Sequence, residues 1–234
     1  MSPRGARRSL ALAFALATTL LFTALGVWQI ERRAWKLALI ERVEHRLHAA
    51  PSAAPGPAQW SGITRIQDEY RRVVVRGTFR HDAETLVQAV TERGPGFWVI
   101  TPLMTGAGPI LVNRGFVPAD RRATASRSVS ESSEQATVTG LLRLSEPGGG
   151  FLRSNDPQAG RWYSRDVAAI ARARGIAHPA PYFIDADATP NPGGWPLGGL
   201  TVVAFRNTHL VYAITWFGMA AMSAWGAWLL WSRR

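Results

Sequence analysis

The chain has 234 residues, of which 47% are hydrophobic and 18% are charged, and it contains no cysteine. This composition excludes a charged disordered chain, and the lack of cysteine excludes disulfides, thiol nucleophiles, thiolate metal sites and CxxCH haem attachment. Lys and Arg together number 27 against 16 Asp and Glu, which gives a formal net charge of +11.

The first predicted element is a transmembrane helix at residues 9–30. These 22 residues contain no Asp, Glu, Lys or Arg, and a helix of about 20 apolar residues crosses a bilayer. The alternative is a cleaved signal peptide, with Arg4, Arg7 and Arg8 as its basic region. Its apolar core would be about 7–15 residues, shorter than this stretch, and no A-x-A site follows. We therefore expect a retained membrane anchor.

The helix is predicted to continue as an amphipathic extension over residues 31–50. Apolar side chains recur there at helical spacing while charged residues occupy the other faces. The apolar series starts at Trp28 in the span and continues with Trp35, Leu39, Val43 and Leu47. The proline-rich segment 51–59 must end this helix and is predicted to be a stiff linker.

A β-rich domain is predicted over residues 60–206, because short segments rich in β-branched and aromatic residues alternate there with Gly and Pro turns. The predicted strands are 70–79, 85–90, 97–104, 110–117, 137–144, 181–186 and 200–205. One helix is expected at about 166–174, with Gly175 after its end, and segments 118–136 and 189–199 are expected to be loops. Many short strands favour an antiparallel, barrel-like sheet.

A second transmembrane helix is predicted at residues 207–232, which are 26 residues without Asp, Glu, Lys or Arg. Trp225, Trp228 and Trp231 lie near its end, as interfacial aromatics do, and small residues such as Ala220 and Ala224 permit close helix approach. The alternative is the buried core helix of a soluble protein. The fold class is thus an α+β membrane protein, with two transmembrane helices flanking the β-rich extramembrane domain.

The distribution of charge predicts the orientation. Five arginines lie in the two short tails and account for +5, whereas the surplus of +6 in residues 31–206 is diffuse, without a basic block. Nucleic-acid binding is therefore disfavoured. Basic tails stay in the cytoplasm, so both termini are predicted to be cytoplasmic and the central domain periplasmic, in a multi-pass protein of the bacterial plasma (inner) membrane.

The sequence offers little support for an enzyme, because it lacks the GxSxG, GxxxxGK[ST], GxGxxG and HExxH motifs. Asp185 and Asp187 are a carboxylate pair that would share one strand face, but no nucleophile or base lies near them in sequence. His45 and His48 share a helix face and could hold a metal, or they could be solvated surface residues.

His209 is the strongest candidate for a functional residue. It lies inside the uncharged segment 207–232, where an ionisable side chain indicates function, and Tyr212 and Trp216 follow on the same helix face. An imidazole beside aromatic rings suits an axial ligand to haem iron, and Arg206 could pair with a propionate. The alternative is an interfacial histidine without a ligand role.

Several segments together resemble the surfeit locus protein 1 family. They are LGVWQIERRAWK (25–36), RGTF (76–79), GFWVITPL (96–103), VNRGFVP (112–118), RWY (161–163), PYFID (181–185) and NTHLVYAITWF (207–217). The resemblance covers nearly the whole chain in the same order. At Phe116, Trp is commoner in the family, and the aromatic character is kept.

The resemblance implies an assembly factor for haem–copper terminal oxidases such as cytochrome c oxidase, which binds haem a transiently and assists its insertion into the catalytic subunit. By position, His209 matches the haem-linked histidine and Trp216 the associated tryptophan. Trp28 and Gln29 leave the first span at the same leaflet and complete the expected haem site. The implied partners are the oxidase catalytic subunit, haem A synthase and membrane lipid, and no catalytic residues are expected. The alternatives are a scaffold that stabilises the nascent oxidase subunit without binding haem, and a membrane-anchored periplasmic enzyme.

Overall fold

The computed structural model describes residues 3–123, 135–150, 152–203, 205 and 207–232. The chain divides into two compact units. We call Met1–Val43 with Val203–Arg234 the helical unit, and Glu44–Val202 the sheet unit.

The described residues form five α-helices. They are α1 (Pro3–His48), α2 (Pro57–Trp60), α3 (Arg65–Asp68), α4 (Val167–Ala173) and α5 (His209–Ser232). Two of them, α1 and α5, are long and apolar enough to cross a membrane. Most of their large apolar side chains are exposed, including Leu10, Phe14, Leu20, Ile214, Met222 and Trp225.

Helix α1 runs without a break through the predicted span and its predicted extension, and it ends before Pro51. The segment 51–59, predicted to be a linker, is more regular than expected. It contains the strand β1 (Ser52–Ala53) and the first turn of α2, where Pro57 is the first helical residue. Proline suits that position because its missing N–H would have no partner within the helix.

The two long helices of the helical unit pack antiparallel along a narrow stripe of small and apolar residues. Ala213, Ala220 and Ala227 of α5 are buried and recur every seventh residue, which is the repeat of a left-handed helix pair. Between them, the ring of Trp216 stacks on Phe22 of α1 with centroids 5.7 Å apart. Small side chains at alternate turns therefore let the two backbones approach closely.

Two further small residues, Ala224 and Gly26, refine this contact. Ala220 is buried as its size suggests, but Ala224 is exposed, because it lies roughly 40–60° around the helix from the buried alanines, to one side of the stripe that faces α1. On α1, Gly26 is buried, and a Cβ added to it would lie 2.6 Å from the Phe217 ring. A larger residue at this position would therefore displace the Phe217 ring, which packs against α1 in the space that the glycine leaves.

The sheet unit is built on one seven-stranded mixed sheet. Its further strands are β2 (Arg72–Phe79), β3 (Thr85–Thr91), β4 (Gly94–Thr105), β5 (Gly108–Pro118), β6 (Gln135–Leu144) and β7 (Tyr182–Ala186). The strand order is β1-β2-β6-β7-β5-β4-β3, and β2 also pairs with β4 through Thr78–Met104 and Phe79–Leu103. As a result β2, β6, β7, β5 and β4 each pair with at least two others.

The prediction of a purely antiparallel sheet is wrong. Strand β1 pairs parallel with β2, and β7 pairs parallel with β5. Parallel neighbours need a long crossover connection, and the chain between β5 and β7 supplies one that contains β6 and α4. The barrel-like shape stays a prediction.

Both faces of the central strands are covered, which explains their nearly continuous hydrophobicity. Nine consecutive residues of β5, 109–117, are buried. Ile110 and Val112 point into one core cluster with Tyr182 of β7, whereas Leu111 points into a second one. Helix α4 packs into this second cluster through Val167 and Ile170, which are buried there together with Trp162.

Helix α4 agrees with the predicted helix at 166–174. Asp166 caps its first turn by accepting a hydrogen bond from the Ala169 N–H, and Gly175 follows its end with φ of +61°, a conformation that favours glycine.

The predicted strand 200–205 is wrong for residues 200–203, which form no strand. Within the predicted loop 118–136, residues 124–134 lie outside the described part of the chain.

The buried Tyr182 hydroxyl should make stability depend on alkaline pH. It donates a hydrogen bond to the Pro55 carbonyl at 2.8 Å, and burial raises its pKa to about 12, against about 10 in an unfolded chain. Below pH ~10 the hydroxyl is protonated in both states. Above that, the unfolded chain alone loses the proton, so stability falls as pH rises, by up to ~2 kcal/mol.

Replacing Tyr182 by Phe should remove this component. Urea unfolding of the full chain in detergent, followed by near-UV circular dichroism at about pH 9 and about pH 11, would show a smaller loss for Tyr182→Phe than for the natural chain. Equal losses would contradict the assignment.

The register of α1 and α5 can be tested by disulfide formation, since the natural chain has no cysteine. The hydroxyls of Thr18 and Ser223 lie 3.2 Å apart, so Thr18→Cys combined with Ser223→Cys should cross-link on mild oxidation. The matched control is Thr18→Cys with Ala224→Cys. The Ala224 side chain is exposed, so this pair of cysteines should cross-link much less. Mobility on a denaturing gel after cleavage between the helices measures the yield.

Candidate functional site

A histidine–glutamine pair joins the two helices at one end of the helical unit. Nδ1 of His209, the first residue of α5, lies 2.7 Å from Oε1 of Gln29 on α1. An amide oxygen only accepts hydrogen bonds, so the imidazole Nδ1–H is the donor. The imidazole lone pair is then on Nε2, which makes that nitrogen the one available to bind a metal.

The position of Gln29 explains why the pair forms. Gln29 lies inside the uncharged segment of α1 and is only 9% exposed, one turn after Gly26 on the side that faces α5. A buried amide without partners costs about 1–3 kcal/mol, and a polar side chain among apolar helices commonly bonds across to its neighbour. His209 supplies that partner, which determines the direction of its own ring.

Trp216 lies on the same contact stripe as His209, seven residues further along α5. Its ring stacks on Phe22 with an interplanar angle of 27°. The rise from His209 is roughly 10 Å at 1.5 Å per residue. The structure thus brings three of the predicted site residues, His209, Gln29 and Trp216, onto one interhelical stripe.

The other predicted site residues lie elsewhere. Trp28 and Tyr212 are 53% and 54% exposed, so both project away from the contact between the helices. Their predicted role beside His209 stays a prediction. Arg206 lies outside the described residues.

Asn207 is a site residue that sequence reasoning missed. Its Oδ1 atom is buried and has no hydrogen-bond partner within the part of the chain that the structure describes. Such atoms are uncommon in folded proteins and call for an explanation. The available signal was its place two residues before His209, as a polar residue at the start of the uncharged segment.

A second polar contact fixes the opposite end of the helix pair. Arg8 of α1 donates from Nε to the Leu230 carbonyl at 2.9 Å, and from Nη2 to the carbonyls of Leu230 and Trp231. The last carbonyls of a helix have no partner within it and carry partial negative charge. Arg8 therefore caps α5, a role that its place in a basic tail did not reveal.

Asp185, one member of the predicted carboxylate pair, lies on β7 within a structural network, whereas Asp187 follows the end of that strand. Asp185 accepts hydrogen bonds from Asn113 at 2.8 Å, Arg143 at 2.9 Å, Arg165 at 3.0 Å and Thr201 at 3.0 Å. Burial opposes the charge of Arg143, but the carboxylates of Asp185 and Glu69 outweigh it and raise the pKa of Arg143. Through these bonds Asp185 joins β7 to its neighbours β5 and β6.

The same network explains the Asn-Arg-Gly segment of β5. Besides bonding Asp185, the Asn113 side chain accepts a hydrogen bond from the Gly115 N–H at 3.1 Å. Gly115 has φ of +131°, and a Cβ there would lie 2.1 Å from the Leu197 carbonyl oxygen. These two residues therefore serve the fold of the sheet unit.

Arg114, between them, lines a cavity of about 270 Å³ in the sheet unit, together with Phe79 and Asn191. The Arg114 guanidinium donates to the Asn191 side chain at 3.2 Å and lies 4.9 Å from the centroid of the Phe79 ring.

No cluster of three or more His, Asp and Glu side chains that could hold a metal occurs among the described residues. His45 and His48 are exposed on α1.

Comparison with known proteins places this arrangement in a family. The model described as the SURF1 family matches residues 16–221. Surfeit locus protein 1 of Rattus norvegicus is 37% identical over 227 residues, which cover 90% of this chain and 71% of the relative. The Homo sapiens protein of that name is 38% identical over 218 residues (86% and 70%). A SURF1-like protein of Monosiga brevicollis is 39% identical over 215 residues (85% and 79%). Because the match extends over most of α1, the sheet unit and half of α5, the chain belongs to the SURF1 family.

Proposed function

We propose that this protein is a membrane-anchored assembly factor for a haem–copper terminal oxidase, which holds haem a at His209 and assists its insertion into the catalytic subunit. The observation that carries the proposal is the 2.7 Å hydrogen bond between Gln29 and His209 Nδ1. It fixes an imidazole with its Nε2 lone pair available, at the start of an apolar helix.

The residues at this end of the helical unit fit a haem. Imidazole nitrogen is a common axial ligand of haem iron, and the macrocycle requires an apolar aromatic environment. His209 would supply the ligand, and the exposed rings of Trp28 and Tyr212 would supply apolar contact. The unpartnered Asn207 Oδ1 would accept a hydrogen bond from a polar substituent. The haem itself supplies the iron centre that the oxidase later uses.

Both long helices are proposed to span the membrane. Their exposed faces carry large apolar side chains, including Trp225 and Trp228 at 64% and 60% exposure, and such continuous apolar surface requires lipid or another protein. The basic residues of both tails orient the pair with its termini in the cytoplasm. The sheet unit would then lie in the periplasm of a bacterium, anchored in the inner membrane.

The polar contacts at the two ends of the helical unit agree with this topology. Gln29 follows Arg8 by 21 residues, and Leu230 follows His209 by 21 residues. At 1.5 Å per residue this spacing is roughly 31 Å, which matches the thickness of the hydrocarbon core, about 30 Å. The capped end would lie at the cytoplasmic boundary and the His209 end at the periplasmic boundary, where a protein partner can reach it.

The proposed role is non-catalytic. The sequence lacks the usual catalytic motifs, and the carboxylate of Asp185 is held by four side chains. The proposed partners are the catalytic subunit of the oxidase, haem A synthase as the source of haem a, and membrane lipid. Nucleic acid is not among them.

Replacing His209 should abolish haem binding. Protein produced in cells that make haem a and purified in detergent is expected to show a Soret band and near-stoichiometric haem, and His209→Ala should lose more than about nine-tenths of it, since the iron would lose its protein ligand. The matched control is His45→Ala, which removes an exposed histidine of α1 and should keep the full haem content.

Oxidase assembly distinguishes the two candidate roles. If the protein carries haem, His209→Ala should lower the haem a content of the oxidase made in the same cells. A scaffold that binds no haem would leave that content unchanged. Full haem in purified His209→Ala would show that the ligand assignment is wrong.

A further inference from the structure

We infer that Gln29 is a positioning residue, which holds His209 in the Nδ1–H tautomer and thereby sets how strongly Nε2 binds the haem iron. This inference rests on the proposed function and deepens it. It differs from the sequence-based expectation, in which Gln29 itself belonged to the haem-binding residues.

The tautomer follows from the chemistry of the contact. The Gln29 oxygen can only accept, so the hydrogen bond of 2.7 Å exists only while Nδ1 carries the proton. Which nitrogen of a neutral imidazole is left to bind a metal is set by the hydrogen bond that the other ring nitrogen makes. Without that bond, both tautomers would be populated, and in one of them Nε2 would be blocked by a proton.

The surroundings of Gln29 give it little freedom. Its side chain is 9% exposed, and the missing side chain of Gly26 one turn earlier lets the Phe217 ring approach α1 closely. Phe22, one further turn back, stacks on Trp216. The two helices are therefore closely packed along this part of α1, which limits the conformations of the buried Gln29 side chain, and its hydrogen bond to Nδ1 sets the direction of the imidazole.

Because the Gln29 amide is uncharged, it affects how strongly His209 would bind the haem iron of a carrier. Metal-bound histidines often donate their second N–H to a carboxylate, which makes the ligand more basic and the metal bond stronger. An amide oxygen orients the ring in the same way but transfers less negative charge to it. Gln29 thus combines a fixed ring with a ligand of moderate strength, as binding followed by release requires.

The inference is tested with two substitutions and one control in the full-length protein in detergent. Gln29→Met keeps the length of the side chain but removes the amide acceptor, and Gln29→Glu keeps an acceptor and adds charge. The control is Thr18→Val, which breaks another polar contact between the same helices, the one to Ser223, well away from His209.

Haem a titration is the first measurement. Gln29→Met should weaken binding by about 10- to 100-fold, the usual effect of removing a partner of a metal-bound histidine. Gln29→Glu should bind at least as tightly as the natural chain, lower the reduction potential of the bound haem, and release it more slowly to an apo-acceptor such as apomyoglobin. Thr18→Val should bind as the natural chain does.

The second measurement needs no haem. Nitrogen-15 spectra of the haem-free protein with labelled histidine report the tautomer of each of the five imidazoles, and the His209 signals are identified by their loss in His209→Ala. The natural chain should show the Nδ1–H form of His209 at a pH where it is neutral. Gln29→Met should show the Nε2–H form or a mixture.

Unchanged haem affinity and an unchanged His209 tautomer in Gln29→Met would overturn the inference, as would equal weakening by Gln29→Met, Gln29→Glu and Thr18→Val. In either case, loss of haem in His209→Ala would leave the proposed function standing. Retention of haem in His209→Ala would instead refute the proposed ligand, and the inference with it.

Discussion

The fixed register of two antiparallel helices is the constraint on which the candidate site depends. Two polar contacts set it, one from Gln29 to His209 and one from Arg8 to the last carbonyls of α5. Between them, Ala213, Ala220 and Ala227 keep the helices close. A shift of one residue along either helix would rotate the stripe by about 100° and would break both contacts at once, so the polar ends and the small-residue stripe enforce the same arrangement.

The sheet unit depends on a comparable buried polar centre. Asp185 on β7 joins Asn113 on β5, Arg143 on β6 and the segment after the last strand through Thr201. A buried carboxylate is tolerated only when its oxygens are hydrogen-bonded and its charge is paired. This requirement ties together strands that are far apart in sequence, and it accounts for residues whose types alone suggested chemistry.

Sequence patterns predicted those features that depend on local periodicity and composition. The two uncharged stretches predicted the long helices, six of the seven predicted strands are present, and Asp166 and Gly175 marked the ends of α4. Parallel pairing of β7 with β5 was not predictable, since strand direction depends on the whole connection between them. The predicted strand near Leu200 failed because β-propensity describes a fit to neighbours, and residues 200–203 have no strand partner.

By itself, the sequence determined that the chain has two apolar helices around a β-rich middle, that it lacks cysteine chemistry, and that His209 is an unusual residue in its context. The tertiary structure decided which residues meet. Gln29 and His209 are 180 residues apart, and no local pattern encodes that one accepts a hydrogen bond from the other. Only the packing of α1 against α5 places the two side chains within hydrogen-bond distance and leaves Trp28 and Tyr212 exposed, because helix rotation is set by interhelical contacts and not by the periodicity of either helix alone.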